Sequence, residues 1–79
     1  MEVWSRRLSD GSMAIALYNE DDHDKNIGID DFAVLGWTAT TRARVRNLWM
    51  RVDETIVRGR LPPRLVEPHG TVLLRLTRL

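Results

Sequence analysis

Turn-forming residues interrupt this chain about every 8 to 12 residues, a spacing typical of short strands. Asp10-Gly11, Gly36 and Pro68-His69-Gly70 are the clearest of these breaks. Between them, as in residues 13–18, side chains alternate between the two faces of a strand, with Met13, Ile15 and Leu17 on one face and Ala14, Ala16 and Tyr18 on the other, so both faces are expected to be at least partly covered. The pattern predicts an all-β protein. We expect a small antiparallel β-sandwich, Greek-key-like, with about six to eight short strands and one short helical turn.

Individual strands follow from this alternation. They are predicted over residues 2–8, 13–18, 26–29, 44–49, 55–59, 61–66 and 71–76. Pro62-Pro63 cannot donate ladder hydrogen bonds, so that strand is expected at an edge or turn. The helical turn is predicted over residues 32–35, where Asp30 or Asp31 can cap its start and Gly36 its end.

Chain length limits the fold to one domain. The 79 residues are predicted to form a single domain over 1–79, far short of the roughly 250 residues of a (β/α) barrel. Cysteine is absent, which excludes disulfides, thiolate metal sites and a cysteine nucleophile within these residues. No apolar run reaches 18 residues, so no membrane contact is expected.

Charged residues are sorted along the chain although the net charge is only +1. An acidic block precedes an arginine-rich one: Glu20, Asp21, Asp22, Asp24, Asp30 and Asp31, then Arg42, Arg44, Arg46, Arg51, Arg58 and Arg60. Arginine suits nucleic-acid contacts and carboxylate pairing equally. The acidic block and the small net charge favour pairing within the chain, and no nucleic-acid partner is expected.

Five segments share the order and spacing of a known family. They are Val3 to Arg6, Leu8 to Asn19, Leu35-Gly36, Val45 to Trp49 and Pro68 to Leu76. Together they resemble the C-terminal β-sandwich accessory domain of the α-galactosidase (melibiase) family of glycoside hydrolases. The resemblance implies a non-catalytic domain that supports the stability and orientation of a catalytic (β/α) barrel, its partner in cis or in trans. That family's two catalytic aspartates lie in the barrel, so neither has a counterpart in this chain.

Residues that could carry chemistry do not form a recognisable site. The loop from Asp22 to Gly28 has alternating oxygen ligands, but its glycine and its twelfth position, Ala33, depart from a calcium-binding loop. Neither His23 nor His69 has metal-ligand spacing, and His69 is expected to hold the last turn by hydrogen bonds to the backbone. No metal and no cofactor is therefore predicted.

Adjacent carboxylates also argue against catalysis. Asp30-Asp31 and Asp53-Glu54 would point to opposite faces of a strand, whereas glycosidases need two carboxyl groups facing one cleft. The sequence therefore predicts no catalytic residue.

Three functions remain open from the sequence. The first is docking on a catalytic barrel, with Leu48 and Leu73 as outward apolar contacts. The second is a carbohydrate-binding module for galactose-containing glycans, with Trp37 exposed after its turn while Trp4 and Trp49 pack in or against the sandwich. The third is a homo-oligomer, formed when the isolated domain self-associates through the surface meant for the barrel.

Overall fold

The structure is a computed structural model and describes residues 2–79. The described part contains seven strands: β1 Val3–Arg7, β2 Met13–Tyr18, β3 Lys25–Ile29, β4 Arg42–Asn47, β5 Val52–Arg58, β6 Leu61–Val66 and β7 Thr71–Arg78. A 3-10 turn, Phe32–Leu35, lies between β3 and β4. The prediction of a small all-β sandwich with one helical turn is confirmed. Across residues 2–79 no helix is long and apolar enough to cross a membrane.

Two antiparallel sheets make the sandwich. One sheet has five strands in the order β1-β2-β7-β4-β5, and the other consists of β3 and β6. Side chains from the inner faces of both sheets form one core, which includes Ile15, Leu17, Phe32, Leu61, Val66, Leu74 and Leu76. The strand with Pro62-Pro63 is β6, which pairs only with β3, as a strand with two missing donors requires.

The central strands are those with the clearest alternation. β7 lies between β2 and β4, with Leu74 opposite Ile15 and Leu76 opposite Val45. All four side chains are at most 1% exposed. Because opposed residues of antiparallel strands share a face, these pairs place the buried side chains of β2, β4 and β7 on one side of the sheet, and Ala14, Ala16 and Leu73 lie on the other.

The 3-10 turn closes one end of the core as predicted. The side chain of Asp31 accepts a hydrogen bond from the Ala33 backbone N–H at 2.9 Å. Gly36 ends the turn with φ +78°, and its N–H bonds the Ala33 carbonyl at 3.0 Å. Phe32 is thereby held fully buried against the sheets.

Two strands begin two or three residues earlier than predicted, and β3 begins one residue earlier, at Lys25. β4 starts at Arg42 instead of Arg44, because β7 runs on to Arg78 and pairs it with Ala43. β5 starts at Val52, since a bulge places two residues, Glu54 and Thr55, between the pairs that β5 makes with β4. The start of β4 depends on β7, which is distant in sequence, and that of β5 on the bulge in the β4–β5 hairpin.

A buried asparagine joins the acidic loop to the second sheet. Asn19 is fully buried, and its Nδ2 donates to the carbonyl oxygens of His23 at 2.8 Å and Val66 at 2.9 Å. Its Oδ1 accepts from the Asp21 backbone N–H at 2.9 Å. The side chain therefore replaces backbone pairing where the chain crosses from β2 to β3.

Candidate docking surface

An apolar row crosses the outer face of the five-stranded sheet. In the strand register Trp4 is opposite Ala16, and Ala16 is opposite Leu73. The Leu48 backbone N–H bonds the Leu73 carbonyl at 3.0 Å, so Leu48 continues the row just after β4 ends. We call Trp4, Ala16, Leu73 and Leu48 the apolar row. Three strand spacings make it about 14 Å long.

The row is accessible to solvent. Trp4 is 52% exposed and Leu48 is 39% exposed, while Leu73 is half-buried between its neighbours. Trp49 and Met50 extend the apolar surface into the β4–β5 turn, where both are about 70% exposed. The structure thus brings together Leu48 and Leu73, the two residues predicted for docking, and adds a tryptophan that the sequence analysis assigned to packing.

The β4–β5 turn is held by Asn47. Its side-chain Oδ1 accepts hydrogen bonds from the backbone N–H groups of Trp49 and Met50, each at 3.0 Å. Its Nδ2 donates to Glu54 across the hairpin at 3.3 Å. An exposed apolar turn is therefore kept in one conformation by a polar side chain beneath it.

The packing predicted for Trp4 and Trp49 is wrong. Val3, opposite Leu17, is the inward residue of β1, so Trp4 faces outward in phase with Arg6. Trp49 lies beyond the end of β4 and belongs to no strand. Both phases of this strand end on an arginine, Arg6 or Arg7, so the sequence carried no signal for the face on which Trp4 lies.

The exposure predicted for Trp37 is also wrong. The Trp37 side chain is only 6% exposed. The indole meets the Phe32 ring edge-on, with ring centroids 5.4 Å apart. The Arg78 guanidinium lies 5.6 Å from the centroid of the Trp37 ring. The indole fills the end of the core because the left-handed turn at Gly36 directs the chain back over Phe32. It does not offer the exposed face that stacking on a sugar requires.

Carboxylates near the surface bind arginines. Glu54 lies 2.6 Å from Arg64, and this hydrogen bond lowers the pKa of Glu54. Asp53 lies 3.2 Å from Arg46. Together Asp53 and Glu54 line a surface depression of about 420 Å³ beside β5. A glycosidic general acid needs a raised pKa, so Glu54 has the opposite electrostatic environment.

Asp10 is a second carboxylate with a lowered pKa. Its Oδ1 accepts from the side-chain hydroxyl of Ser12 at 2.6 Å and from the Ser12 backbone N–H at 3.0 Å. Its other oxygen pairs with Arg75. These contacts, those of Ser12 above all, lower the pKa of Asp10 to about 2. Asp10 therefore closes the β1–β2 turn as an ionised acceptor.

The two histidines lie in loops at the surface. His69 has φ +55°, and its Nε2 lies 2.8 Å from Asp22 in the β2–β3 loop. His69 is thus hydrogen-bonded to the Asp22 side chain, and the prediction that it bonds the backbone is wrong. Over residues 2–79, His, Asp and Glu side chains form no group of three that could hold a metal ion.

Comparison with known proteins connects this geometry to a family. A protein-family model for the alpha galactosidase C-terminal beta sandwich domain matches residues 1–76. A probable alpha-galactosidase of Dictyostelium discoideum is 27% identical over 77 residues, which are 96% of this chain and 20% of the relative. The chain therefore spans about a fifth of the length of this curated relative.

Solved structures share the fold. Alpha-galactosidase I of Mortierella vinacea superposes with a TM-score of 0.84 at 18% identity, over 95% of this chain and 20% of that one. A β-L-arabinopyranosidase of Geobacillus stearothermophilus superposes with a TM-score of 0.82 at 23% identity, over 95% of this chain and 16% of that one. At these identities the likeness concerns the fold.

Proposed function

The chain belongs to the family of α-galactosidase C-terminal β-sandwich domains, and we propose that it is a non-catalytic accessory domain that docks on a glycoside hydrolase barrel. Its role is to stabilise and orient that barrel. The observation that carries this proposal is the exposed apolar row on the outer face of the five-stranded sheet.

Burial of this row supplies a driving force. Trp4 and Leu48 are each about half exposed, and covering what remains of such a side chain is worth about 1 kcal/mol apiece. The neighbouring apolar turn with Trp49 and Met50 adds contact area of the same kind. A flat sheet face with an apolar centre suits a rigid protein surface better than a small ligand, which binds in a concave pocket.

Catalysis is assigned to the partner. Asp10 and Glu54 have lowered pKa values and pair with arginines, so neither is prepared to protonate a leaving group. The matched relatives are about five times longer than this chain, which leaves ample length for a catalytic domain. The barrel is therefore proposed as a partner in cis or in trans.

Carbohydrate binding is the weaker alternative. It was predicted to use an exposed Trp37, and the burial of that indole removes its basis. Self-association would use the same apolar row, with a second copy taking the place of the barrel. Sedimentation of the isolated chain shows whether it forms a dimer, and thereby distinguishes a second copy from the barrel as the partner of the apolar row.

A fusion tests the proposal. The chain replaces the matching C-terminal segment of the Dictyostelium relative, and the melting temperature of the barrel is compared with that of the truncated barrel. We expect the fused domain to raise the melting temperature and Leu48→Asp to abolish the gain, because a charge in the row cannot be buried unpaired. Leu65→Asp is the matched control, since Leu65 is 59% exposed on the opposite sheet.

Two results would contradict the proposal. One is a barrel that melts at the same temperature with and without the domain. The other is an equal effect of Leu48→Asp and Leu65→Asp, which would mean that the outer face of the five-stranded sheet has no special role. Urea unfolding of the isolated Leu48→Asp and Leu65→Asp variants is the check that both still fold.

A further inference from the structure

Six arginines from four strands share the outer face with the apolar row. In one row of the register Arg6 faces Ala14, Ala14 faces Arg75, and Arg75 faces Arg46. At the far end of the sheet Arg42 is opposite Arg58, and Arg44 lies between Thr77 and Ile56. The sequence separates these residues by up to 69 positions, from Arg6 to Arg75, so the strand order alone assembles them.

Carboxylates of the same chain neutralise only two of the six. Asp53, on β5, pairs with Arg46, and Asp10, in the β1–β2 turn, pairs with Arg75. Within residues 2–79 no carboxylate lies within ion-pair distance of the other four: Arg6, Arg42, Arg44 and Arg58. The face therefore has more arginines than paired carboxylates although the whole chain carries a net charge of only +1, and Arg44 shares a surface depression with Asp53 and Glu54.

One uncompensated contact is a direct repulsion. Arg42 and Arg58 are opposed residues of neighbouring antiparallel strands, and like charges in that position destabilise a sheet. Both are exposed, and within residues 2–79 neither has a carboxylate within ion-pair distance. A stable sheet has no need of this pair, which therefore points to a role outside the domain.

We infer that the surface which covers the outer face has two parts: an apolar part over the apolar row and a strip of carboxylates over Arg42, Arg44 and Arg58. The inference rests on the proposed docking function and specifies the chemistry of the partner. Arginine binds carboxylates bidentately and is favoured at protein interfaces for that reason. The acidic strip would be a surface feature of the catalytic barrel.

Other occupants fit the face less well. A second copy of the chain would set one cationic face against another, which like-charge repulsion opposes. A nucleic acid would meet Asp53 and the apolar row beside the arginines, whereas phosphate tracking needs a continuous cationic path. A protein surface with apolar and acidic groups complements both the apolar row and the arginines beside it.

The isolated chain provides the first test. Arg42→Gln removes the repulsion from Arg58, so we expect a higher urea midpoint at low ionic strength and a gain that disappears in about 1 M NaCl, where charges are screened. Arg60→Gln is the matched control, because Arg60 is exposed in the bend between β5 and β6 and is not on this face. Equal midpoints for the two variants would overturn the inference.

The fusion with the barrel provides the second test. Replacement of Arg42, Arg44 and Arg58 by Gln should lower the equilibrium constant for docking within the fusion about tenfold at low salt. Most of the salt dependence of that constant should also disappear. Full docking by this triple variant overturns the inference and leaves the proposed function intact, provided that Leu48→Asp still undocks the domain. If Leu48→Asp also has no effect, the proposed function fails.

Two further outcomes identify a different occupant. Sedimentation of the isolated chain at low salt should show a monomer, and a dimer that Leu48→Asp dissociates would overturn the inference. Fluorescence anisotropy with labelled poly(dT) and with a labelled duplex DNA should show no binding at micromolar protein. Binding that the triple glutamine variant loses would assign the cationic face to nucleic acid instead.

Discussion

Asn19 offers the sharpest test of how this small sandwich is held together. It is the connection between β2 and the second sheet, and its side chain makes three hydrogen bonds of 2.8 to 2.9 Å while fully buried. Asn19→Ala removes all three and leaves the Val66 carbonyl buried without that donor. At about 1 kcal/mol per hydrogen bond, the expected loss is about 3 kcal/mol.

This loss is large for a domain of 79 residues, whose total stability is about 4 to 12 kcal/mol. Urea unfolding followed by circular dichroism measures it. With a slope of about 1 kcal/mol per M, the midpoint should fall by about 3 M at unchanged slope. Asn26→Ala is the control, because Asn26 is exposed on β3 and should change stability by less than about 0.5 kcal/mol.

The isosteric change Asn19→Asp adds a dependence on pH. At pH 7 it places a carboxylate against two carbonyl oxygens, so burial raises the pKa of the new carboxyl above its unfolded value of about 3.9. The electrostatic part of the destabilisation is complete above that raised pKa and is lost as the pH falls toward about 3.9, whereas one hydrogen bond stays missing because a neutral carboxyl has a single O–H donor. Two results would refute the reasoning: a free energy of unfolding for Asn19→Ala within about 0.5 kcal/mol of that of the unaltered chain, or a loss of stability in Asn19→Asp that does not depend on pH.

Three other substitutions test separate parts of the fold. Trp37→Ala should cost about 3 to 5 kcal/mol in urea unfolding, because it empties the end of the core, and a loss below about 1 kcal/mol would mean that the indole is not packed there. Gly59→Ala should cost about 2 kcal/mol or more, because Gly59 has φ +71° and an added Cβ would meet the Ala39 carbonyl oxygen; an unchanged midpoint would contradict this. Asp10→Asn should reduce the amount by which the free energy of unfolding falls at acid pH. The pKa of Asp10 is about 2, so its contribution is complete above the unfolded value of 3.8 and is lost as the pH falls through about 2. Parallel pH profiles for Asp10→Asn and the unaltered chain would show that Asp10 is not stabilised as described.

Alternation of large inward side chains made the central strands predictable. Met13, Ile15 and Leu17 of β2 and Leu74 and Leu76 of β7 are buried, and the positions between them are half-buried or exposed. The 3-10 turn was equally clear, since Asp31 and Gly36 cap it through local contacts. The family resemblance, inferred from five segments, is confirmed by the family model, which matches residues 1–76.

Contacts between distant segments were not predictable in this way. The ring of Trp37 is covered in part by Arg78, which lies at the other end of the chain, and no local pattern shows this contact. Trp4 is exposed because Val3 takes the inward position on an edge strand, a choice of phase that a five-residue strand leaves open. The cationic face depends on β7 lying between β2 and β4, which no local pattern shows.

The docking surface can be tested directly with a thiol, because the chain contains no cysteine. Leu48→Cys and Leu65→Cys place a single thiol on the outer face of the five-stranded sheet and on the opposite sheet, at positions 39% and 59% exposed. Their rates of alkylation are followed by peptide mass spectrometry in the isolated chain and in the fusion with the barrel. We predict that fusion slows the Leu48→Cys thiol at least about tenfold and leaves the Leu65→Cys thiol unchanged. Equal rates for Leu48→Cys in the two forms, or protection of Leu65→Cys instead, would contradict docking through the apolar row.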